Sequence, residues 1–158
     1  MTVDAGSEAP DFDLPSDGGG QVKLKDFHGQ PLVLYFYPKD DTSGCTKEAN
    51  GFAEAYANFR STGAEIVGVS KDSVASHDKF KAKHGLPFPL GSDEDGKVVE
   101  AYGSWVEKSM YGRKYMGIDR STFLIDGSGK IHRAWRKVKV PGHVDEVLAA
   151  AKALAEAK

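Results

Sequence analysis

Apolar positions fall into short runs and helical stripes punctuated by Gly, Pro and Asp. The densest run, Leu32-Val33-Leu34-Tyr35-Phe36-Tyr37, is bracketed by Pro31 and Pro38. It is too short for a helix of ordinary length and predicts a strand buried on both faces. A polar loop, Lys39-Asp40-Asp41, leads into Thr42-Ser43-Gly44-Cys45. From Ala49 the apolar residues Phe52, Ala53, Tyr56 and Phe59 recur at helical spacing as far as Gly63, a C-cap residue. Thr42 or Ser43 is a natural N-cap, so Cys45 falls in the first turn of that helix. Residues 66–69 predict a second strand. Ser73 caps a helix carrying Val74, His77, Phe80 and Lys81 and stopped by Gly85. A short strand at 88–90 and a short helix at 97–102 come next. Residues 122–125 then pair with 130–135 across the loop Asp126-Gly127-Ser128-Gly129, and an Ala-rich amphipathic helix covers 144–157. Near the start, Phe12-Asp13-Leu14 and Val22-Lys23-Leu24 alternate around Gly18-Gly19-Gly20 as a β-hairpin. This order of elements predicts an α/β layered fold with a mixed sheet.

With 158 residues, 40% of them apolar, the chain is expected to form one domain over residues 1–158, burying roughly two-thirds of its unfolded surface. A net charge of -2 gives no reason to expect nucleic acid or anionic lipid as a partner. The basic stretch Lys130, His132, Arg133, Arg136, Lys137 and Lys139 alternates with apolar residues and reads as the solvated face of a strand. The first ten residues have neither a basic nor an apolar leader segment, and no stretch has the length of a membrane span. A single Cys cannot form an internal disulfide and is at home in a reducing compartment, so a cytoplasmic location is expected.

Without context, a lone Cys is a small buried hydrophobe. Cys45 has context: it follows the exit of a buried strand and opens a helix, where ligand sites of α/β sheets gather. The free N–H groups and positive dipole end of the helix favour a thiolate there. The dipole supplies only part of what a reactive thiolate requires. Lys39 is on a loop and Lys47 points along the helix, so a further cation must come from elsewhere in the chain.

Pro38-Lys39-Asp40-Asp41-Thr42-Ser43-Gly44-Cys45 resembles the Pro-x-x-x-Thr-x-x-Cys signature of peroxiredoxins. Gly6-Ser7-Glu8-Ala9-Pro10-Asp11-Phe12 is similar to the family's opening and Ile66-Val67-Gly68-Val69-Ser70 to its next strand. Tyr115 to Asp126 closely resembles the segment that brings in the catalytic arginine. With Pro87-Phe88-Pro89-Leu90 and Ser92-Asp93, these segments resemble the bacterioferritin comigratory protein, or peroxiredoxin Q, branch. The resemblance implies a thioredoxin-like fold, a central mixed β-sheet flanked by helices with an N-terminal β-hairpin. It implies a thiol-dependent peroxidase that reduces hydrogen peroxide and organic hydroperoxides in antioxidant defence, with no cofactor and no metal. Cys45 is then the peroxidatic thiolate, converted to a sulfenic acid. Thr42 bonds the thiolate and the peroxide, and Arg120 is the missing cation. Pro38 shields the thiolate from water. Taken alone, Thr42 is an ordinary N-cap, Arg120 a surface arginine and Pro38 a strand terminator.

The chain departs from the branch in lacking a second thiol. Asn50 stands where many members carry the resolving Cys, and the region 80–84, used by others, has none. Recycling must then come from an external thiol (thioredoxin, glutaredoxin or glutathione) or from a transient Cys45–Cys45 dimer of a protein whose relatives are often monomers. Ser43 replaces the family's usual Pro. Two other classes bear weighing. A Cys-His hydrolase would use one of His28, His77, His84, His132 and His143, but none lies in a sequence context that pairs it with Cys45, and a helical His is more often a surface residue. A thioredoxin-fold binding or chaperone-like module would leave Pro38, Thr42, Cys45 and Arg120 unexplained. The His residues show no metal-ligand spacing, and Asp93-Glu94-Asp95-Gly96 reads as a turn before a helix. Trp105, Met110 and Tyr111 suggest loop packing rather than an apolar wall beside the site.

Overall fold

The computed structural model describes residues 3–157. Near the N-terminus, β1 (Asp13–Pro15) and β2 (Gln21–Lys23) form an antiparallel hairpin with Leu14 opposite Val22. The apolar run between the prolines becomes β3 (Leu32–Phe36), buried along its whole length. It is followed by α1 (Ser43–Glu54) and α2 (Tyr56–Ser61), then β4 (Glu65–Ser70), α3 (Val74–His84), β5 (Leu90–Ser92) and α4 (Lys97–Ala101). A second hairpin, β6 (Trp105–Met110) and β7 (Arg113–Ile118), precedes β8 (Ser121–Ile125), β9 (Ile131–Trp135) and α5 (His143–Glu156).

The central sheet has five strands in the order β5-β4-β3-β8-β9. β4 runs parallel to β3 and β5, whereas β8 is antiparallel to both β3 and β9. Alternate residues of the central strands therefore serve two cores. Val33, Tyr35, Ile66, Leu90 and Leu124 face α1, α2, α3 and α5, together with Phe52, Phe59, Phe80 and Val147. Leu32, Leu34, Phe36, Val67, Val69 and Phe123 face the first hairpin and α4, together with Leu14, Val22, Val99 and Tyr102. This is the mixed sheet flanked by helices that the residue pattern predicts. Gly68 is a close-approach position: a Cβ there would lie 2.8 Å from Cζ of Tyr35, whose ring stacks on Phe52 at 4.7 Å.

Several local expectations need correction. The helix expected to run unbroken to Gly63 is divided at Ala55, where φ is −91° and ψ 1°. The strand expected at 88–90 begins at Leu90, because Pro89 has no N–H for the ladder and contributes only its carbonyl, which accepts from Gly68 N–H at 3.2 Å. The β6–β7 hairpin was not apparent, and the loop packing expected of Met110 and Tyr111 is absent. Met110 is 56% exposed and Tyr111, at the tip, 99% exposed. Only Trp105 packs inward, with the Lys71 ammonium 4.2 Å from its ring centre. The histidines on helices also differ from expectation. His77 and His143 are buried, because each has hydrogen-bond partners inside.

Candidate active site

Polar loop residues after β3 turn the chain into α1, whose buried stripe is Cys45, Glu48, Ala49 and Phe52. Cys45 is thus in the first turn, as the residue pattern predicts, and is 2% exposed within the helix-side core. A second element reaches it. The two-residue connection from β7 to β8 carries Arg120, and pairing of Ser121 with Phe36 sets that connection beside the exit of β3. The connection is held from several sides. Asp119 N–H donates to the Ser104 carbonyl at 2.7 Å and Val138 N–H to the Arg120 carbonyl at 3.0 Å. The buried hydroxyls of Ser104 and Ser121 meet at 2.6 Å.

The Arg120 guanidinium uses two nitrogens on two residues of α1. Nη2 donates to Cys45 Sγ at 3.3 Å, and Nη1 donates to Glu48 Oε1 at 2.6 Å. Gly44 permits this approach, since a Cβ there would lie 3.3 Å from Nη2. The Arg120 side chain is 16% exposed and that of Glu48 is fully buried. Burial opposes the Arg120 charge, but Glu48 and an ionised Cys45 outweigh it, and its pKa is raised. Glu48 is held between two effects. Burial pushes its carboxyl up to about 7 even though Arg120 pulls it down. Its second oxygen, Oε2, is buried without a hydrogen-bond partner among the described residues, which further disfavours ionisation. Tyr35, on the sheet beneath, is kept protonated first by burial and then by the charges of Glu48 and Cys45.

Thr42 stands at the N-cap with extended backbone (φ −90°, ψ 157°), and its carbonyl accepts from Thr46 N–H at 2.8 Å. Its hydroxyl does not cap the helix. It donates to the Lys39 carbonyl at 2.8 Å, and the residue is exposed. Pro38 is exposed at the exit of β3. The structure therefore joins Cys45 and Arg120 directly, with Thr42 and Pro38 on the loop leading in.

Glu48 is the site residue that the sequence reading missed. The available signal was a carboxylate three residues after Cys45 on the same helix face, inside a stripe with Ala49 and Phe52. A buried charge in that position requires a partner. Among the described residues no His hydrogen-bonds Cys45, so the pairing a Cys-His hydrolase needs is absent from the site. His143, at the start of α5, instead bonds Thr122 Oγ1 at 2.8 Å, and burial holds its pKa down to about 4.

Among the described residues, one group of side chains brings potential metal ligands within reach of each other: Asp40, Asp72 and His77. It does not fit a metal. His77 Nε2 lies 3.0 Å from the Gly91 carbonyl, which can only accept, and Nδ1 lies 2.7 Å from Asp40 Oδ2. Both ring nitrogens are thus engaged in hydrogen bonds within the protein rather than turned toward a common ion.

Known proteins resemble this chain over nearly its whole length. The AhpC/TSA family model matches residues 5–134. Peroxiredoxin Bcp of Bacillus subtilis is 50% identical over 156 residues, covering 99% of each chain. A solved structure of Xanthomonas campestris bacterioferritin comigratory protein, from a study of its alkyl peroxide reduction, has a TM-score of 0.90 at 50% identity, covering 96% of this chain and 99% of that one. A Cys-to-Ser variant of Xylella fastidiosa PrxQ has a TM-score of 0.93 at 43% identity, covering 98% and 99%.

Proposed function

This chain belongs to the AhpC/TSA family, in the branch of peroxiredoxin Bcp and peroxiredoxin Q, and from that premise we propose that Cys45 is its peroxidatic thiolate. Membership carries thiol peroxidase activity, an antioxidant function, with a peroxide as oxidant and a thiol as reductant. The observation that supports Cys45 as the nucleophile is the 3.3 Å contact from Arg120 Nη2 to the single thiol of the chain.

In this reading the thiolate Sγ attacks the terminal oxygen of a hydroperoxide ROOH. The S–O bond forms as the O–O bond breaks, Cys45 becomes a sulfenic acid, and RO⁻ leaves to take a proton from solvent. The sulfur gives up two electrons to the peroxide. Negative charge moves from sulfur onto the leaving oxygen, and the fixed Arg120 guanidinium lies where it can stabilise both ends of that movement. Thr42 has a distinct part. Because its hydroxyl proton is directed at Lys39, its oxygen is an acceptor for the proton of a neutral hydroperoxide. Pro38, at the other end of the loop, limits the approach of water. Alkyl hydroperoxides and hydrogen peroxide are the proposed substrates, the former in line with the alkyl peroxide reduction activity of the Xanthomonas relative.

An external thiol then attacks the sulfenic sulfur, releasing water and leaving a mixed disulfide, and a second thiol restores Cys45. Thioredoxin, glutaredoxin and glutathione are the candidate reductants. Because Sγ is buried, the first turn of α1 has to open for either route, and a small or protruding external thiol needs less opening than a second buried Cys45 would, so a monomer recycled from outside is the favoured form. A cytoplasmic location suits a lone reduced thiol. No helix of the described residues is long and apolar enough to cross a membrane.

Stopped-flow mixing of the reduced protein with hydrogen peroxide and with an alkyl hydroperoxide, followed by intact mass, tests the reading. One added oxygen, formed far faster than on free cysteine and absent in Cys45→Ser, is expected. Reaction no faster than free cysteine would rule it out. Turnover with the three reductant systems in parallel then identifies the thiol donor.

A further inference from the structure

The loop between β3 and α1 carries Thr42, yet little of what holds it belongs to the active site. Its middle residue, Asp40, is 7% exposed and accepts three side-chain hydrogen bonds. Tyr37 Oη donates to Oδ1 at 2.5 Å, Ser76 Oγ to Oδ2 at 2.8 Å, and His77 Nδ1 lies 2.7 Å from Oδ2. The Asp40 N–H donates to Asp72 Oδ2 at 2.8 Å, and Asp72 is itself held by Ser70 Oγ at 2.6 Å. The next residue, Asp41, has φ of 60°, a left-handed conformation that few non-glycine residues adopt. Its carboxylate is held by Lys83 at 2.9 Å and His84 at 3.3 Å. A strained turn persists only where its surroundings over-determine it. Here the surroundings are α3.

His77 is the buried centre of this arrangement. Since the Gly91 carbonyl can only accept, Nε2 carries a proton. Asp40 already accepts from Tyr37 and Ser76, so it is the carboxylate and Nδ1 is the donor. We propose that His77 is an imidazolium that acts as a positioning residue for the peroxide reaction: it fixes Asp40, and through Asp40 the loop that presents Thr42 to the substrate. This rests on the peroxidase reading and adds to it a residue remote from the sulfur.

Charge supports the assignment. Burial lowers the pKa of His77, but the Asp40 hydrogen bond and charge, the Gly91 carbonyl and the Asp72 carboxylate together raise it above the ordinary histidine value. Tyr37 also faces the ring at 3.4 Å and stays protonated, chiefly through burial. From β5 the Gly91 carbonyl reaches the ring. The Asp41, Lys83 and His84 group lies on the exposed side of the same loop. Loss of the His77 proton removes the cationic donor to Asp40, so the loop should loosen as pH rises through the His77 pKa.

The test combines NMR with kinetics. In the wild-type protein at pH 7, long-range ¹H–¹⁵N correlation should find both ring nitrogens of His77 protonated. His77→Phe, which keeps the ring volume, should lower the second-order rate constant with hydrogen peroxide at least about tenfold, the scale of a sub-ångström misplacement. It should also remove the alkaline decline in rate expected of wild type. His77→Asn, whose amide can still donate toward Asp40, should recover part of the rate but not the alkaline decline. A neutral wild-type ring overturns the proposal even if His77→Phe does not fold. So does a fast wild-type enzyme whose rate and pH profile are unchanged in His77→Phe or His77→Asn. Failure of the wild-type protein to react with peroxide would instead overturn the peroxidase reading.

Discussion

Glu48→Gln removes a charge from the buried pair with Arg120 while keeping the size of the side chain and an oxygen for Nη1. Burial moves the Glu48 carboxyl from its ordinary 4.5 to about 7 in the folded protein. Roughly 2.5 units at about 1.4 kcal/mol per unit correspond to about 3 kcal/mol. Between pH 4.5 and about 7 the folded chain holds a proton that the unfolded chain releases. Stability from this group is therefore complete below 4.5 and is lost as pH rises through about 7. Gln does not titrate. Urea unfolding of wild type and variant across pH 4 to 8 should show their difference shifting toward the variant by about 3 kcal/mol, about 1–3 M in midpoint at ordinary urea slopes. His77 and His143 titrate in both proteins, so the difference between the curves isolates Glu48. A difference that stays flat over this range would refute the burial argument. In the same variant the Arg120 anchor keeps its acceptor but loses its charge, and the peroxide rate should fall about tenfold, near 1.4 kcal/mol.

Three further outcomes follow from the same contacts. Arg120→Met should reduce the stopped-flow rate with hydrogen peroxide about a hundredfold or more, the scale of losing a fixed cationic donor, and leave Glu48 protonated well above neutral pH by carboxyl infrared titration. Thr42→Val should lower the rate about tenfold while changing the melting free energy by less than about 1 kcal/mol, since the hydroxyl caps no helix N–H, and Thr42→Ser should restore it. Gly44→Ala should slow the reaction several-fold with near-native stability, because a Cβ 3.3 Å from Nη2 displaces the guanidinium rather than the core; an unchanged rate would place the reacting sulfur elsewhere than under that nitrogen.

How much of this was legible in the residues depended on which physical signal each element carried. β3 was plain because both its faces are buried, and α3 because Ser73 and Gly85 mark its two ends: Ser73 Oγ accepts from Ser76 N–H and Gly85 has φ of 61°. The β6–β7 hairpin carried almost no signal, since most of its residues face water and no period of two separates core from solvent. At the site, the Pro38-to-Cys45 segment and Arg120 were readable through their resemblance to a known pattern, but the contact between Cys45 and Arg120 depends on β8 pairing with β3. His77 lay in the correct stripe beside Phe80, yet its burial depends on Asp40, which is distant in sequence and arrives only when the loop folds back.

α3 is clasped from two directions. Asp41 meets Lys83 and His84 from the active-site loop, while the turn of the first hairpin supplies Asp17 to Lys81 at 2.8 Å and takes Asp78 onto Gly18 N–H at 2.7 Å. In mechanical terms the helix is a strut rather than a hinge. A thiol engineered onto α3 would have to break these clasps before it could swing toward Cys45, and the barrier would be set by the clasps rather than by the chemistry of sulfur. α3 carries no thiol that has to travel to Cys45, so its clasps can hold while the first turn of α1 opens to the reductant.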